Sequence, residues 1–173
     1  ERLDFDTART RTAYERIISD FEKGKTQILI GTQMLSKGLD FGNVSVVGIL
    51  SADSLMNFPD FRAHERAYQL MVQVSGRAGR RDKRGTVILQ TTQPEHPLIR
   101  MVQHFAYKEM VSLQLSERSM FRYPPYYRLI VLILRSRNEE ALQEMSALYA
   151  EKLRARLGER VLGPVTPPIT RVQ

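Results

Sequence analysis

Three short apolar runs, separated by segments with helical periodicity, constrain the fold of this chain more than any other feature. The runs are TQILIGT (26–32), VSVVGILS (44–51) and GTVILQTT (85–92). Each has the length of a buried strand. Between the last two, apolar residues recur at helical spacing at Ala63, Ala67, Leu70, Met71 and Val74. Strands that alternate with helices predict an α/β domain with a parallel sheet, whose ligands bind beyond the carboxyl ends of the strands.

A helix is predicted before the first apolar run. The segment ARTRTAYERIISDFEKG (8–24) places four apolar side chains on one helical face: Tyr14, Ile17, Ile18 and Phe21. We expect Asp6 or Thr7 to cap the amino end of this helix and Gly24 to end it.

The last third of the chain begins with a helical pattern. Residues 94–121 are predicted to form one long helix, which the YPPYY stretch at 123–127 ends. A strand, RLIVLILRS, then precedes an amphipathic helix that Asn138 caps and Gly158 ends. A proline-rich extended tail follows.

These elements divide the chain into two predicted domains. One strand, one helix and a tail are too few to enclose a core. We therefore expect residues 1–117 to form the α/β domain. Residues 118–173 are expected to form an incomplete α+β unit, completed by another chain or by packing on the first domain.

Composition limits the classes of protein to consider. The chain has 173 residues, 42% of them hydrophobic, and a net charge of +7, which favours a polyanionic partner. It contains no cysteine, which excludes disulfides and thiolate zinc sites. His64, His96 and His104 lack metal-ligand spacing, and no metal site is predicted. No membrane span or signal peptide is evident, so we expect a cytoplasmic protein; its first residue, Glu1, suggests a fragment or a processed chain.

An arginine-rich stretch, QVSGRAGRR (73–81), is the first candidate site. If the helix from Asp60 continues to Arg80, one face carries Gln73, Arg77 and Arg80, with room left by Gly76. Guanidinium groups match phosphate oxygens, so this face is suited to a nucleotide. The alternative is a solvated, arginine-rich helix end with a glycine cap.

A second candidate site follows the first strand, in GTQMLSKGLDF (31–41). Lys37 and the amides near Gly38 are suited to phosphate, while Asp40 is suited to accept a hydrogen bond from a ribose hydroxyl. The alternative is a glycine-rich connection in which Asp40 caps a short helix.

Both stretches resemble helicase motifs. GTQMLSKGLDF followed by QVSGRAGR is similar to motifs V and VI of superfamily 2 helicases. The intervening DFRAHERAYQL is similar to the primosomal replication-restart DNA helicases. So are RLDFDTAR, LQTTQPEHPLI, YPPYYRL and VLGPV, in the same order. Motif VI alone occurs in many helicases, but the combined set is specific for this family and spans nearly the whole chain.

The resemblance implies both a fold and an activity. Residues 1–117 would be a RecA-like second helicase lobe, a parallel sheet flanked by helices, and residues 118–173 the start of the family's C-terminal DNA-binding domain. The implied parent protein is an ATP-dependent 3′-to-5′ DNA helicase. It would recognise branched or forked DNA and restart stalled replication forks by primosome assembly.

The resemblance also implies roles for individual residues. Arg80 would be the arginine finger on the γ-phosphate, with Arg77 beside it. The implied nucleotide-binding residues are Gln73, Gly76, Gly38 and Asp40. The residues implied to contact DNA, or to couple the DNA and nucleotide sites, are Thr32, Gln33 and Lys37.

Several family features are absent from this sequence. It has no GxxxxGK[ST] phosphate loop and no acidic magnesium motif, which in the family belong to the first lobe. ATP and magnesium are therefore expected to bind only in the parent protein, between its two lobes, and this chain alone is expected to hydrolyse no ATP and bind no cofactor. The family's zinc-binding cysteines are expected upstream. Replication-restart and single-strand-binding proteins are implied partners.

Other interpretations stay open at this point. The chain could be a non-catalytic basic DNA- or protein-docking module with a helicase-like fold, in which Arg77 and Arg80 contribute phosphate affinity. A fork-reversing translocase is disfavoured by DFRAHER and YPPYYR. The tyrosines of the YPPYY stretch are expected to pack at an interdomain turn rather than stack on bases. Asp53 is expected in a turn, and His64 on the outer surface of its helix.

Overall fold

The computed structural model describes residues 1–4, 6–32, 44–79 and 85–166. The chain divides into two compact units, residues 1–126 and 127–173. Helices and short parallel strands alternate in the first unit, which confirms the predicted α/β class. In the ranges given above, no helix combines the length and the apolar character that a membrane crossing requires.

Within the described ranges, the elements occur in the order strand, helix, strand, strand and then mostly helix. In chain order they are β1 (Arg2–Leu3), α1 (Arg11–Glu22), β2 (Ile30–Gly31), β3 (Val46–Ile49), α2 (Ala52–Met56), α3 (Ala63–Ser75), β4 (Thr86–Leu89), α4 (Pro97–Gln103), α5 (Tyr107–Met120) and α6 (Glu139–Leu157). A 3₁₀ turn, Gly158–Arg160, follows α6.

The strands form two parallel pairs. In the first, β1 pairs with β2, so that Arg2 lies opposite Ile30. In the second, β3 pairs with β4, and Val46 lies opposite Thr86. Parallel pairing is confirmed, but the prediction that these strands are buried is wrong. Val46 is 56% and Ile88 57% exposed, because the helices that pack on this sheet cover the face that carries Ile49 and Leu89.

Two apolar clusters hold the first unit together. The larger cluster joins α2, α3, α4 and α5 around Met71, Ile99 and Met110. The smaller cluster is built on Leu3, Ile17 and Ile18, with Tyr14 and Phe21 packed against it. The predicted apolar face of α1 is therefore confirmed as a core face.

The cap of α1 differs from the prediction. The Thr10 side chain caps the helix by accepting a hydrogen bond from the Ala13 amide at 3.2 Å. Thr7 cannot do so because it belongs to an earlier turn, in which the Asp4 carboxylate accepts from the Thr7 amide at 2.9 Å. Gly24, with φ of 73°, ends the helical region as predicted.

The single helix predicted for residues 94–121 is wrong, because the structure has two helices, α4 and α5. Phe105 lies between them in the left-handed region, with φ of 51°. Its amide donates to the Val102 carbonyl at 3.2 Å, and the Ala106 amide donates to the Met101 carbonyl at 2.9 Å. These two bonds form a Schellman motif, which ends α4 and redirects the chain.

The second unit contains one predicted element but not the other. Helix α6 begins at the predicted cap, where Asn138 Oδ1 accepts from the Ala141 amide at 3.1 Å, and it ends at Gly158. The strand predicted at 128–136 is not formed. Side chains 129–134 are 42% to 86% exposed. A strand needs a ladder partner, and the described residues of this unit supply none.

Candidate functional site

Four of the predicted site residues lie in the described part of the chain: Thr32, Gln73, Gly76 and Arg77. Five lie outside it: Gln33, Lys37, Gly38, Asp40 and Arg80. The roles assigned to this second group stay predictions. Three of the described site residues lie at the carboxyl end of α3, where the arginine-rich stretch begins: Gln73, Gly76 and Arg77.

Helix α3 ends at Ser75. The prediction that it continues to Arg80 is therefore wrong. The Arg77 amide donates to the Val74 carbonyl at 3.0 Å, and the Ala78 amide donates to the Ser75 carbonyl at 3.2 Å. These bonds span three residues rather than the four of an α-helix, so the last turn tightens. Gly79 then has φ of 84°, which an α-helix excludes. We call residues 76–79 the arginine turn.

The arginine turn is fixed to the sheet at the amino ends of β3 and β4. The Gly79 amide donates to the Val44 carbonyl at 3.1 Å, just before β3. Gly85, just before β4, packs so closely that a Cβ built on it would lie 2.3 Å from Gly79 N and 2.4 Å from Ala78 C. Only a glycine fits this contact. Two neighbouring chain segments thus hold the backbone that carries Arg77.

The arginine turn does not lie where ligands were expected to bind, which is beyond the carboxyl ends of the strands. Thr32 does lie there, directly after β2, and it is exposed. Arg77 lies at the opposite ends of β3 and β4, because α3 runs back along the sheet before the chain enters β4. Gln73, in the last turn of α3, is exposed.

A threonine-bound carboxylate occupies the carboxyl ends of β3 and β4. Asp53 accepts hydrogen bonds from Thr91 Oγ1 at 2.5 Å, the Thr92 amide at 2.8 Å and Thr92 Oγ1 at 2.9 Å. The bond from the Thr91 hydroxyl contributes most to lowering the pKa of Asp53 below its ordinary value. These bonds tie α2 to the segment after β4. Asp53 lies in the first turn of helix α2, so the turn expected for this residue is wrong.

Two histidines meet beside this carboxylate. The rings of His64 and His96 make an edge contact, with centroids 5.4 Å apart. His64 is half-buried, so its expected place on the outer helix surface is wrong. His96 Nδ1 accepts from the Leu98 amide at 3.2 Å and caps α4. Burial, followed by the neighbouring His64, lowers the pKa of His96.

The structure also shows a cluster that the sequence did not indicate. Four side chains, which we call the α3–α5 joint, meet where the start of α3 packs on the end of α5: Phe61, Glu65, Arg118 and Tyr123. The joint borders a cleft of about 440 Å³, whose rim includes the exposed rings of Phe58 and Phe121. Glu65 belongs to the DFRAHER segment, but no local pattern identifies a partner 53 residues away.

Two segments of the chain match known protein families. Residues 4–82 match the helicase conserved C-terminal domain. Residues 119–173 match the primosomal protein N C-terminal domain. The chain is 41% identical to the replication restart protein PriA of Synechocystis and 44% identical to that of Bacillus subtilis, each over 99% of its length. The PriA of Treponema pallidum is 37% identical, also over 99%.

The chain belongs to the PriA replication restart family. It spans 21% of the Synechocystis PriA, 22% of the Bacillus subtilis PriA and 26% of the Treponema pallidum PriA. Helix α3 and the arginine turn lie in the segment that matches the helicase domain, residues 4–82. Tyr123 lies in the segment that matches the C-terminal domain, residues 119–173. The stack of Phe61 on Tyr123 therefore joins the two matched segments inside the first unit.

Proposed function

We propose that this chain is the second helicase lobe, with the start of the C-terminal domain, of an ATP-dependent 3′-to-5′ DNA helicase. The parent protein would act on branched or forked DNA in the bacterial cytoplasm and restart stalled replication forks by primosome assembly. The observation that carries the proposal is the similarity to PriA replication restart proteins over 99% of the chain. Residues 1–117 form the lobe in this proposal, and residues 118–173 begin the C-terminal domain.

The described residues fit part of a nucleotide site. Arg77 belongs to the arginine turn, whose backbone is held by Val44 and Gly85. Its guanidinium group is suited to bind phosphate oxygens. The phosphate-loop pattern is absent from the sequence. ATP with magnesium, which supplies the phosphoryl group that is transferred to water, would therefore be held mainly by the first lobe of the parent chain.

This lobe would then act by completing the site when the two lobes close. Arg80 would stabilise the charge that develops on the transferring phosphoryl group, a contribution of about 10³ to 10⁵ in rate for an arginine finger. Arg77 would bind beside it, and Gly76 would let the backbone approach. Gln73, exposed at the end of α3, would contact the nucleotide from the same side.

The other predicted residues would serve the ribose and the DNA. Gly38 and Asp40 would contact the ribose side of the cleft between the lobes. Thr32, exposed after β2, would contact the DNA backbone with Lys37, and Gln33 would couple the two sites. Opening of the lobes after hydrolysis would advance the protein along the strand.

The remaining parts of the proposal concern the parent protein. Zinc would bind upstream of this chain. Replication-restart proteins and single-strand-binding proteins would be its partners. The isolated chain would not hydrolyse ATP, because the first lobe supplies the phosphate loop.

A non-catalytic docking module is the second candidate function, and the net charge of +7 favours it. In such a module Arg77 and Arg80 would bind phosphates of DNA. Their loss would weaken DNA binding and reduce its salt dependence, by a slope of about one for each lost contact.

The test compares Arg80→Ala with wild type in the full parent protein. We expect fork-stimulated ATP hydrolysis to fall by about 10³, while the fork affinity of the variant equals that of wild type at low salt and again at high salt. Arg11→Ala is the matched control, because it removes one exposed arginine far along the chain, on α1. Unchanged turnover with weaker, less salt-dependent binding would support the docking module instead.

A further inference from the structure

The most buried ion pair in the described part of the chain lies far from the arginine turn, at the opposite end of α3. Arg118 Nη2 donates to Glu65 Oε2 at 2.5 Å, and the two side chains are only 15% and 20% exposed. Arg62, a more exposed side chain, bonds the same carboxylate at 3.2 Å. Burial alone would raise the pKa of Glu65, but the bonds from Arg62 and Arg118 outweigh it and lower that pKa.

Stability alone does not account for Arg118. Its Nε atom is buried and has no hydrogen-bond partner among the residues that the structure describes, and such an unsatisfied donor destabilises a fold. Buried ion pairs also lose much of their attraction to desolvation, so an apolar pair of similar volume is often as stable or more stable. What an ion pair adds is a defined geometry between the two elements that carry it.

The cap at the end of α5 orients Arg118 toward the same ring as Tyr123. The Tyr123 amide donates to the Arg118 carbonyl at 2.8 Å, and Arg122 between them has φ of 60°, which is the Schellman arrangement. The Arg118 guanidinium carbon lies 5.3 Å from the centroid of the Phe61 ring. Tyr123 stacks on Phe61 at 4.9 Å, with the planes 10° apart. Phe61 is therefore held by both residues.

Helix α3 connects this joint to the arginine turn. Glu65 lies in its first turn, and the arginine turn begins directly after Ser75. The 13 residues of α3 span roughly 20 Å. Ala67, Tyr68 and Met71 bury one face of the helix in the larger apolar cluster. A packed helix transmits a shift of its first turn to its last, and the arginine turn that follows is also held by Val44 and Gly85.

We infer that Glu65 and Arg118 are positioning residues for ATP turnover. Through α3 they determine the position of the arginine turn, and they link it to Tyr123 at the start of the segment that matches the C-terminal domain. This inference rests on the proposed function, in which turnover depends on Arg77 of the arginine turn and on Arg80, the next residue after it. In this inference the pair acts through the helix and not by contact with nucleotide or DNA.

The test uses the full parent protein and the series wild type, Arg118→Lys and Arg118→Met. Fork-stimulated kcat, KM for ATP, fork affinity and Tm are measured for each. We expect Arg118→Met to lower kcat between about tenfold and 100-fold, as misplacement of a remote group does, with KM and fork affinity within about twofold. Arg118→Lys keeps the charge and should fall between the two.

Arg62→Met is the matched control. It removes the other cation that bonds Glu65, from a side chain that is 46% exposed, and should leave kcat within about twofold. If Arg118→Met lowers Tm but leaves kcat of the folded protein at the wild-type level, the pair is only structural and the inference is overturned. If Arg118→Met fails to fold, Arg118→Lys decides by the same kcat criterion.

Arg80→Ala, measured alongside, separates this inference from the proposed function. If Arg80→Ala leaves turnover intact, the proposed function fails. If Arg80→Ala abolishes turnover while both Arg118 variants retain it, only the positioning role of Glu65 and Arg118 fails.

Discussion

The rings of Phe61 and Tyr123 stack face to face, with centroids 4.9 Å apart and planes 10° apart. Phe61 lies just before α3, and Tyr123 lies just after α5. The contact thus closes the first compact unit with the first residues of the C-terminal-domain match. The stack also explains why one tyrosine of YPPYY behaves differently from the other two. Tyr123 is half-buried, whereas Tyr126 and Tyr127 are exposed.

Replacing Tyr123 by Leu should destabilise the first unit. The variant keeps an apolar side chain but loses the stack, which contributes about 0.5–1.5 kcal/mol beyond the buried area. We expect a lower urea midpoint with an unchanged slope. Tyr126→Leu is the matched control and should shift the midpoint by less than about 0.5 kcal/mol. Equal effects of the two variants would contradict the structural role of the stack.

Gly85→Ala should displace the arginine turn. The added Cβ would lie 2.3 Å from Gly79 N, and backbone atoms must shift to accept it, at a cost of about 1–3 kcal/mol. We expect lower stability of this chain and lower ATP turnover in the parent protein. Gly48→Ala on β3 is the control, because a Cβ there meets nothing within 4 Å. A Gly85→Ala variant as stable and active as Gly48→Ala would refute the close contact.

Phe105→Gly should stabilise the chain despite the loss of a large side chain. Phe105 has φ of 51° and is exposed, so it bears a left-handed strain of about 1–2 kcal/mol that glycine avoids. The greater freedom of glycine in the unfolded chain offsets part of this gain, which leaves an increase of about 0.5–1 kcal/mol. Calorimetry at neutral pH measures the shift in Tm.

Phe121→Gly provides the opposite case for the same substitution. Phe121 is also exposed at a helix end, but its φ is −92°, where glycine gains nothing. We expect Phe121→Gly to lower Tm because only the entropic cost remains. A fall in Tm for both variants would show that the strain at Phe105 is smaller than its packing.

Acidification should destabilise the helix cap at His96. Burial and His64 lower the pKa of His96 in the folded chain, against the carboxylates of Asp53 and Glu117, which raise it. Because the folded pKa lies below the ordinary 6.5, the unfolded chain binds the proton more tightly. The contribution of His96 to the free energy of unfolding is fully present above about pH 6.5. It declines as the pH falls from there through the folded-state pKa, and it is lost below that pKa. Protonation also removes the Nδ1 acceptor for the Leu98 amide.

His96→Asn tests this pH dependence. Asparagine retains a cap acceptor but does not titrate. Urea midpoints at pH 7.5 and pH 5.5 should differ in wild type and converge in the variant. His96→Ala separates the two roles, because it removes both the cap and the titrating group; relative to His96→Asn it should cost about 1 kcal/mol at both pH values. An unchanged pH dependence in His96→Asn would assign the effect to other groups.

Local patterns of sequence determined several features of this protein. The cap at Asn138, the end of α6 at Gly158 and the core face of α1 depend on residues within a turn or two of one another, so spacing alone predicts them. The alternation of strands and helices fixed the α/β class for the same reason. The ordered motifs were enough to indicate the family.

Tertiary structure decided what depends on distant residues or on backbone conformation. The end of α3 at Ser75 follows from bonds of the arginine turn to Val44 and its contact with Gly85. The break between α4 and α5 requires Phe105 to adopt a left-handed backbone conformation. Phenylalanine rarely adopts that conformation, so the sequence did not indicate the break. The unformed strand at 128–136 lacks a ladder partner in the described chain. The partnership of Glu65 with Arg118 spans 53 residues. Spacing along the chain cannot encode such contacts, because folding alone brings these groups together.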